Sequence, residues 1–388
     1  MTHTLFSKYL YCLSFSLILF LYVDAQKVDD VLQQILNETS SVGISAVVVK
    51  KGKVVYKNAV GYRDVENKLP LKEKHIFRIA SISKSFSATS IMQLVESEQL
   101  DLDADVSSIL GFQVRNPKYP DKKITLRLMM SHLSSINDSE GYFNLDVINP
   151  EKNQNWVKAY SDYAPGDSFL YCNLNYNMIG AIIERASNKR FDDYVIDNVL
   201  KPLGLYGGYN VMKLDSNQFA YIYEYKNDSV KYVRSNGAYA VRSELNDGYI
   251  FGRTTPAYSP TGGMKISAPD LAKYMMMHMR LGKFNGGRII SKQSALAMQK
   301  PVSFKEPYGF GLETSTTMIP GETLVGHTGV AYGLYSAMFF HPKKKYGIVV
   351  IINGCPPAYE SGYNAVIRKT VNYLYDKFIK NSDKYKSG

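Results

Sequence analysis

Residues 44–49 and 53–60 are two β-branched runs joined by Lys50-Lys51-Gly52. Strand formers on either side of a short glycine-containing link predict a β-hairpin early in the chain. Residues 83–100 form a long, mostly apolar stretch that predicts a helix. Residues 174–187 place apolar side chains at 178, 179, 182 and 183, the spacing of one helical face. Residues 271–281 predict a further helix, introduced by the start signal Ser267-Ala268-Pro269-Asp270. Residues 336–340 and 346–352 read as strands, the second ending in the turn pair Asn353-Gly354, and residues 364–378 as a terminal helix. Strands therefore gather at both chain ends and helices fill the middle. One sheet assembled from both ends, with a helical subdomain inserted between them, explains this order better than two successive domains. Residues 206–258 depart from the pattern. They hold nine of the 31 tyrosines with little periodicity, and read as an excursion of loops and short strands.

The first 25 residues differ again. Lys8 supplies a positive start, residues 10–23 are an almost unbroken apolar run of 14, and Val23-Asp24-Ala25 offers apolar or small side chains at the −3 and −1 positions of a cleavage site. That is the layout of a signal peptide, and the run is short for a membrane span. An uncleaved anchor is the alternative. The mature chain is expected to begin near Gln26 and to be exported, periplasmic or secreted, with no stable membrane span after cleavage. At 45% hydrophobic and 21% charged residues, the 388-residue chain has a globular composition able to bury a sizeable core. Its net charge of +11 comes from scattered lysines, with only short clusters such as Lys343-Lys344-Lys345. Without a basic stripe interleaved with aromatics, no nucleic-acid partner is expected. The mature chain holds Cys172 and Cys355, which is no disulfide framework. One bridge or two buried thiols both fit.

Several chemistries are argued against by missing patterns. There is no G-x-S-x-G elbow, no phosphate-binding G-x-x-x-x-G-K-[ST] loop and no H-E-x-x-H helix. The six histidines, at 3, 75, 132, 278, 327 and 341, are too dispersed for a local zinc motif, so neither metal nor cofactor is expected. What is present is S-x-x-K, with Ser81 and Lys84 three residues apart where a helix is predicted to begin. At that spacing the two side chains share one helical face. A serine hydroxyl needs a base to become a nucleophile. The free N–H groups of a helix N-terminus stabilise an oxyanion and help keep the lysine proton-poor. A helix-capping serine beside an exposed lysine is the competing reading.

Five segments settle the choice. FRIASISKSFSA around Ser81, ITLRLMMSHLSSI (124–136), APGDSFLYCNLNYNMIGAIIERAS (164–187), SPTGGMKISAPDLAKYM (259–275) and GHTGVAYGLYS (326–336) occur in this order. Together they resemble the serine β-lactamase, DD-peptidase and esterase superfamily, especially its class C-like branch, whose motifs are S-x-x-K, Y-x-N and H-T-G or K-T-G. Y-x-N occurs four times, at Tyr56/Asn58, Tyr142/Asn144, Tyr171/Asn173 and Tyr225/Asn227. Only Tyr171 and Asn173 have the family's flanks, Pro165-Gly166 before and an apolar helix after. A Lys386-Ser387-Gly388 match at the chain end lacks a strand context.

The resemblance implies an α+β, β-lactamase/transpeptidase-like fold, with an antiparallel sheet built from both chain ends, flanked by helices, and an inserted, mainly helical subdomain. With the leader (1–25) read from its own pattern, the rest of the chain is expected to form one catalytic domain (26–380) and a tail (381–388). Within the domain, the sheet would use about 26–75 and 260–380, the helical part about 76–205, and the tyrosine-rich excursion 206–258. The resemblance implies catalysis by Ser81, Lys84, Tyr171 and His327, with Asn173, Thr328, Gly329 and Val330 binding substrate. Tyr171 would shuttle a proton, and Asn173 would hold Lys84 or a substrate amide. His327 would donate to Tyr171 or to a substrate oxygen, and Gly329 would admit the acyl group. The N–H groups of Ser81 and Val330 would form the oxyanion hole. The expected activity is hydrolysis of an ester or amide in a small-molecule or peptide substrate through acyl-Ser81. Transfer to an alcohol or amine acceptor, or a β-lactamase or penicillin-binding sensor role, are the alternatives. His327 in place of the lysine common in true β-lactamases, and Val330-Ala331-Tyr332 where small residues are usual, argue against antibiotic hydrolysis. The tyrosine-rich excursion offers either an aromatic wall for the substrate or ordinary loop packing.

Overall fold

In the computed structural model the hairpin forms where the two β-branched runs predict it. The structure describes residues 27–226, 231–241, 248–303 and 306–380, so the expected leader, the tail and the Lys386-Ser387-Gly388 match lie outside it. Strand β1 (Gly43–Lys50) passes into β2 (Lys53–Asp64) through Lys51 and Gly52, both at positive φ, 51° and 74°. Two left-handed residues in a two-residue link match the twist of the flanking strands. After β3 (Leu69–Pro70), the remaining strands of the main sheet come from the far end of the chain: β4 (Glu313–Ser315), β5 (Leu324–Ala331), β6 (Leu334–His341) and β7 (Tyr346–Ile352). The spatial order is β4-β5-β6-β7-β1-β2-β3, and every neighbouring pair is antiparallel.

The two chain ends meet at the β1–β7 pairing, with Ile44 opposite Ile352 and Val48 opposite Ile348. Both faces of these strands are covered, so they read as continuous apolar runs rather than as alternation. Val47, Val49, Val349 and Ile351 face the larger core with helix Ala268–Met279. Ile44, Ala46, Val48, Ile348 and Val350 face the smaller one, built with helix Ala365–Tyr375 and the N-terminal helix at 27–38.

We label the helices that matter for the site α1 (Ser83–Glu96), α2 (Asn173–Ser187) and α3 (Ala268–Met279). In α1, 11 of 14 residues are buried, so it has no solvent face. Its small hydroxyl residues are satisfied inside the protein: Ser87 donates to the Pro260 carbonyl and Thr89 pairs with the Tyr274 hydroxyl. The helix stops short of the predicted residue 100 because Glu98 is left-handed, at φ 59°, and Gln99 N–H returns to the Leu94 carbonyl. α3 begins as its start signal predicts, with the Ser267 side chain accepting from Asp270 N–H.

The strand ends and the chain bends at Asn353-Gly354 as expected, with Asn353 buried and its Nδ2 donating to the Tyr62 and Tyr221 carbonyls. One boundary needs correction. The region from 76 onward opens on a strand, Ile76–Arg78, which pairs with Lys265–Ser267, itself paired to Gly207–Gly208. This small sheet holds the chain just ahead of Ser81. Residues 206–258 do contain short strands and turns. Cys172 and Cys355 are both buried free thiols. Among the described residues no helix is long and apolar enough to cross a membrane.

Candidate active site

Ser81 sits in a 3-10 turn (Ala80–Ile82) that runs into α1, two residues before the helix proper. Ala80 is left-handed, at φ 47°, which costs a non-glycine residue roughly 1–2 kcal/mol. Neighbours hold it there. Ser83 Oγ donates to the Ala80 carbonyl at 2.6 Å, and Ser336 Oγ on β6 donates to the Ile79 carbonyl at 3.1 Å. Gly329 on β5 completes the clamp: a Cβ on it would lie 2.2 Å from the Ile79 carbonyl oxygen and 2.5 Å from Ser336 Oγ. That glycine makes room for the backbone before Ser81. It does not line the cavity, so its place in the site differs from the expected contact with an acyl group.

Lys84 is buried with its Nζ directed at three oxygens: Asn173 Oδ1 at 2.8 Å, the Thr261 carbonyl at 3.0 Å and Ser81 Oγ at 3.2 Å. Burial lowers its pKa from 10.5 to about 7, against the opposing pull of Asp138. Tyr171 lies alongside, its ring centroid 4.8 Å from Lys84 Nζ. Burial pushes its phenol above the ordinary value, and a hydrogen bond with Ser81 acts the other way. At neutral pH, then, the lysine is the group poised to exchange a proton and the phenol stays protonated.

Asn173 is the first residue of α2, and both ends of its amide are used. Oδ1 accepts from Lys84 and from Thr261 Oγ1 (2.9 Å), while Nδ2 donates to Asp138 (3.0 Å). Asp138 also accepts from the backbone N–H groups of Asn173 and Leu174, at 2.8 and 2.9 Å. It therefore caps α2 and orients Asn173 together. The Cys172 thiol donates to the same carboxylate at 3.2 Å, and burial raises its pKa well above the ordinary thiol value. That state disfavours a nucleophilic thiolate.

His327 on β5 is buried, and both ring nitrogens are engaged within the protein. Nε2 pairs with the Tyr308 hydroxyl at 2.7 Å and Nδ1 with the carbonyl of Thr328. The carbonyl requires Nδ1 to carry the proton, so Nε2 accepts from Tyr308. Burial and the nearby Lys84 charge lower its pKa to about 3, which leaves it neutral. It therefore does not donate to Tyr171, whose ring centroid is 6.2 Å away; it holds Tyr308. Thr328 and Val330 line the cavity, and Val330 is half exposed at its rim.

The cavity above Ser81 measures about 820 Å³. Its aromatic walls are Tyr142, Phe143, Phe169, Tyr171, Tyr308 and Tyr332. None of the described residues of 206–258 lines it, so the tyrosine-rich excursion is not that wall. Tyr232 and Tyr239 are instead tied to backbone carbonyls of the body. Of the other Y-x-N matches, Tyr142 reaches the cavity rim, whereas Tyr56 pairs with Asp29 on the opposite side of the sheet.

Sequence reasoning missed Asp138, His132, Thr261, Tyr308 and Glu313. His132 is buried, packs its ring 4.4 Å from that of Tyr171, and accepts the Cys172 N–H on Nδ1. Tyr308 had a signal in Tyr308-Gly309-Phe310-Gly311. A Cβ on Gly309 would lie 2.3 Å from the Met298 carbonyl oxygen, and one on Gly311 2.9 Å from that of Lys84. Such glycines mark a segment pressed against other backbone. Asp138 had none, because it caps a helix 35 residues further on.

A two-sided sheet, a clamped serine turn and a buried lysine beside a tyrosine define a serine-lysine-tyrosine site on a β-lactamase-type fold. The family model described as Beta-lactamase matches residues 28–372, and the chain belongs to that family. A curated relative, Protein flp of Staphylococcus aureus (strain MRSA252), is 26% identical over 333 residues, covering 84% of this chain and 62% of its own length. The chain thus spans under two thirds of such relatives. The octameric penicillin-binding protein homologue from Pyrococcus abyssi superposes with a TM-score of 0.69 at 28% identity, covering 90% of this chain and 77% of that one. EstCE1, described as a hydrolase with promiscuous acyltransferase activity, superposes with a TM-score of 0.69 at 24% identity, covering 91% and 99%.

Proposed function

We propose that the protein is an exported serine acyl-enzyme hydrolase acting on an ester or amide through acyl-Ser81. The observation that carries this is Lys84, a buried amine with its pKa lowered to about 7 and its Nζ 3.2 Å from Ser81 Oγ. A general base works best when its pKa lies near the operating pH. Lys84 takes the Ser81 proton as Oγ attacks the carbonyl. The backbone N–H groups of Ser81 and Val330 hold the oxyanion. The Tyr171 phenol, kept protonated by burial, delivers a proton to the leaving group as the carbon–oxygen or carbon–nitrogen bond breaks, and recovers one through Lys84. Water then attacks acyl-Ser81 by the reverse path. Asn173 fixes Lys84, and His327 acts through Tyr308 rather than on the substrate. The signal-peptide pattern of residues 1–25 supports the export and the leader, and the motif order supports a single catalytic domain over 26–380.

Acyl transfer is the second reading, favoured by the cavity's aromatic walls and by exposed Phe143 and Val330 at its mouth. An apolar, partly water-excluding mouth lets an alcohol or amine compete with water for the acyl group. EstCE1 carries both activities in its description. Incubation with p-nitrophenyl esters, with and without alcohol or amine acceptors, separates the readings. Free acid dominating at millimolar acceptor supports the hydrolase, and acylated acceptor dominating supports the transferase. No turnover with any acyl donor, amides included, contradicts both.

A further inference from the structure

One carboxyl group in the cavity is left unused by this chemistry. Glu313 opens β4, opposite Gly326 and next to the strand position of His327, and lines the same cavity as Ser81. Its Oε1 is closed off from solvent and has no hydrogen-bond partner. Burial is the one cause acting on its acidity, and raises its pKa to about 7. No cation in the described residues offsets that burial. Lys84 is committed to Asn173, Thr261 and Ser81, and Arg78 lies over the Tyr332 ring. The groups that feel the Glu313 charge are phenols, those of Tyr171, Tyr308 and Tyr363.

A buried carboxyl without a partner is costly in a folded protein. Placed in a cleft beside the reacting groups, it marks a binding function. We propose that Glu313 is a recognition subsite for a primary ammonium group, so that the preferred acyl donors carry a free amino group. The inference rests on the acyl-Ser81 reading. Docked on the cavity face of the Glu313 carboxylate, the ammonium supplies the missing charge, and the surrounding aromatic faces suit a cation as well. A neutral or N-acylated donor leaves the carboxyl buried and unpaired, which is how a polar site rejects an analogue lacking its partner.

The test uses matched donors: the p-nitroanilides of D- and L-alanine and their N-acetyl forms, given to the wild-type chain and to Glu313→Gln. The readout is the ratio of kcat/KM for the free-amine donor over its N-acetyl partner. The wild type should favour the free amine by about 10- to 100-fold, the worth of one charge-assisted hydrogen bond. Glu313→Gln should bring the ratio close to one. A wild-type ratio near one, or a ratio that Glu313→Gln preserves, overturns the proposal. Should neither donor turn over, protection of Ser81 from a fluorophosphonate by n-butylammonium reads the same subsite. Protection in the wild type and its loss in Glu313→Gln supports the subsite, and equal protection or none overturns it. Labelling of Ser81 in the same samples keeps the two ideas apart. Labelling with no amine preference removes the subsite alone, and no labelling removes the acyl-enzyme reading beneath it.

Discussion

In the proposed mechanism Lys84 serves as the base because of where it is kept. Its amine reacts only when unprotonated, so activity on neutral esters should rise with pH through an apparent pKa near 7. Below that value the proton returns and the base is lost. His327, neutral down to about pH 3, contributes no limb in this range. A kcat/KM profile between pH 5 and 9 checks this, and a flat profile would contradict it. Lys84→Ala should lower kcat/KM by about 10²–10⁴ with modest change in fold. Tyr308→Phe removes the donor that Nε2 of His327 accepts, and should cost about 1 kcal/mol in urea unfolding while perturbing kcat more than KM. That Ser81, Lys84, Tyr171 and Asn173 come together was legible in the sequence because their spacing and flanks carry the information. The work of His327 was not, because its partner Tyr308 comes from a segment with no periodicity, and only the folded chain shows both ring nitrogens taken.

The elements that hold the site explain Asp138, which the motifs leave bare, and give Gly329 a different place from the one its motif implies. Asp138 closes the N-terminus of α2 and fixes the Asn173 amide. Asp138→Ala should therefore destabilise the fold by about 1–2 kcal/mol and also lower kcat, because Asn173 no longer holds Lys84. Stability loss without any kinetic effect would reduce Asp138 to a cap. Gly329→Ala forces a methyl group to within 2.2 Å of the Ile79 carbonyl oxygen. It should displace the Ser81 turn and depress activity far more than substitution of half-exposed Val330, compared by kcat/KM at matched folding. The hairpin and α3 could be read from pattern because turn and cap residues sit beside the elements they serve, and α2 from its apolar spacing alone, since its cap Asp138 is distant in sequence. The end of α1 could not, since Glu98 gives no hint in sequence of its left-handed backbone.

The molecule as a whole is closed by its two ends. β7 lies between β1 and β6, so the middle of the sheet is complete only when residues 43–50 and 346–352 have met. A chain ending after His341 loses β7 and leaves the edges of β1 and β6 without partners. It should give no soluble folded protein, as judged by far-UV circular dichroism and gel filtration. The gathering of strands at both ends was visible as pattern, and so was the helical middle. The small sheet of Ile76–Arg78, Lys265–Ser267 and Gly207–Gly208 was hidden, because strands of two or three residues leave no period to detect.

The measurement that bears most directly on the central claim is the mass of the protein after brief reaction with a fluorophosphonate, followed by peptide mapping. One adduct should form, it should map to Ser81, and Ser81→Ala should abolish it while the chain remains folded. An adduct mapping elsewhere, or persisting unchanged in Ser81→Ala, would contradict the acyl-enzyme account.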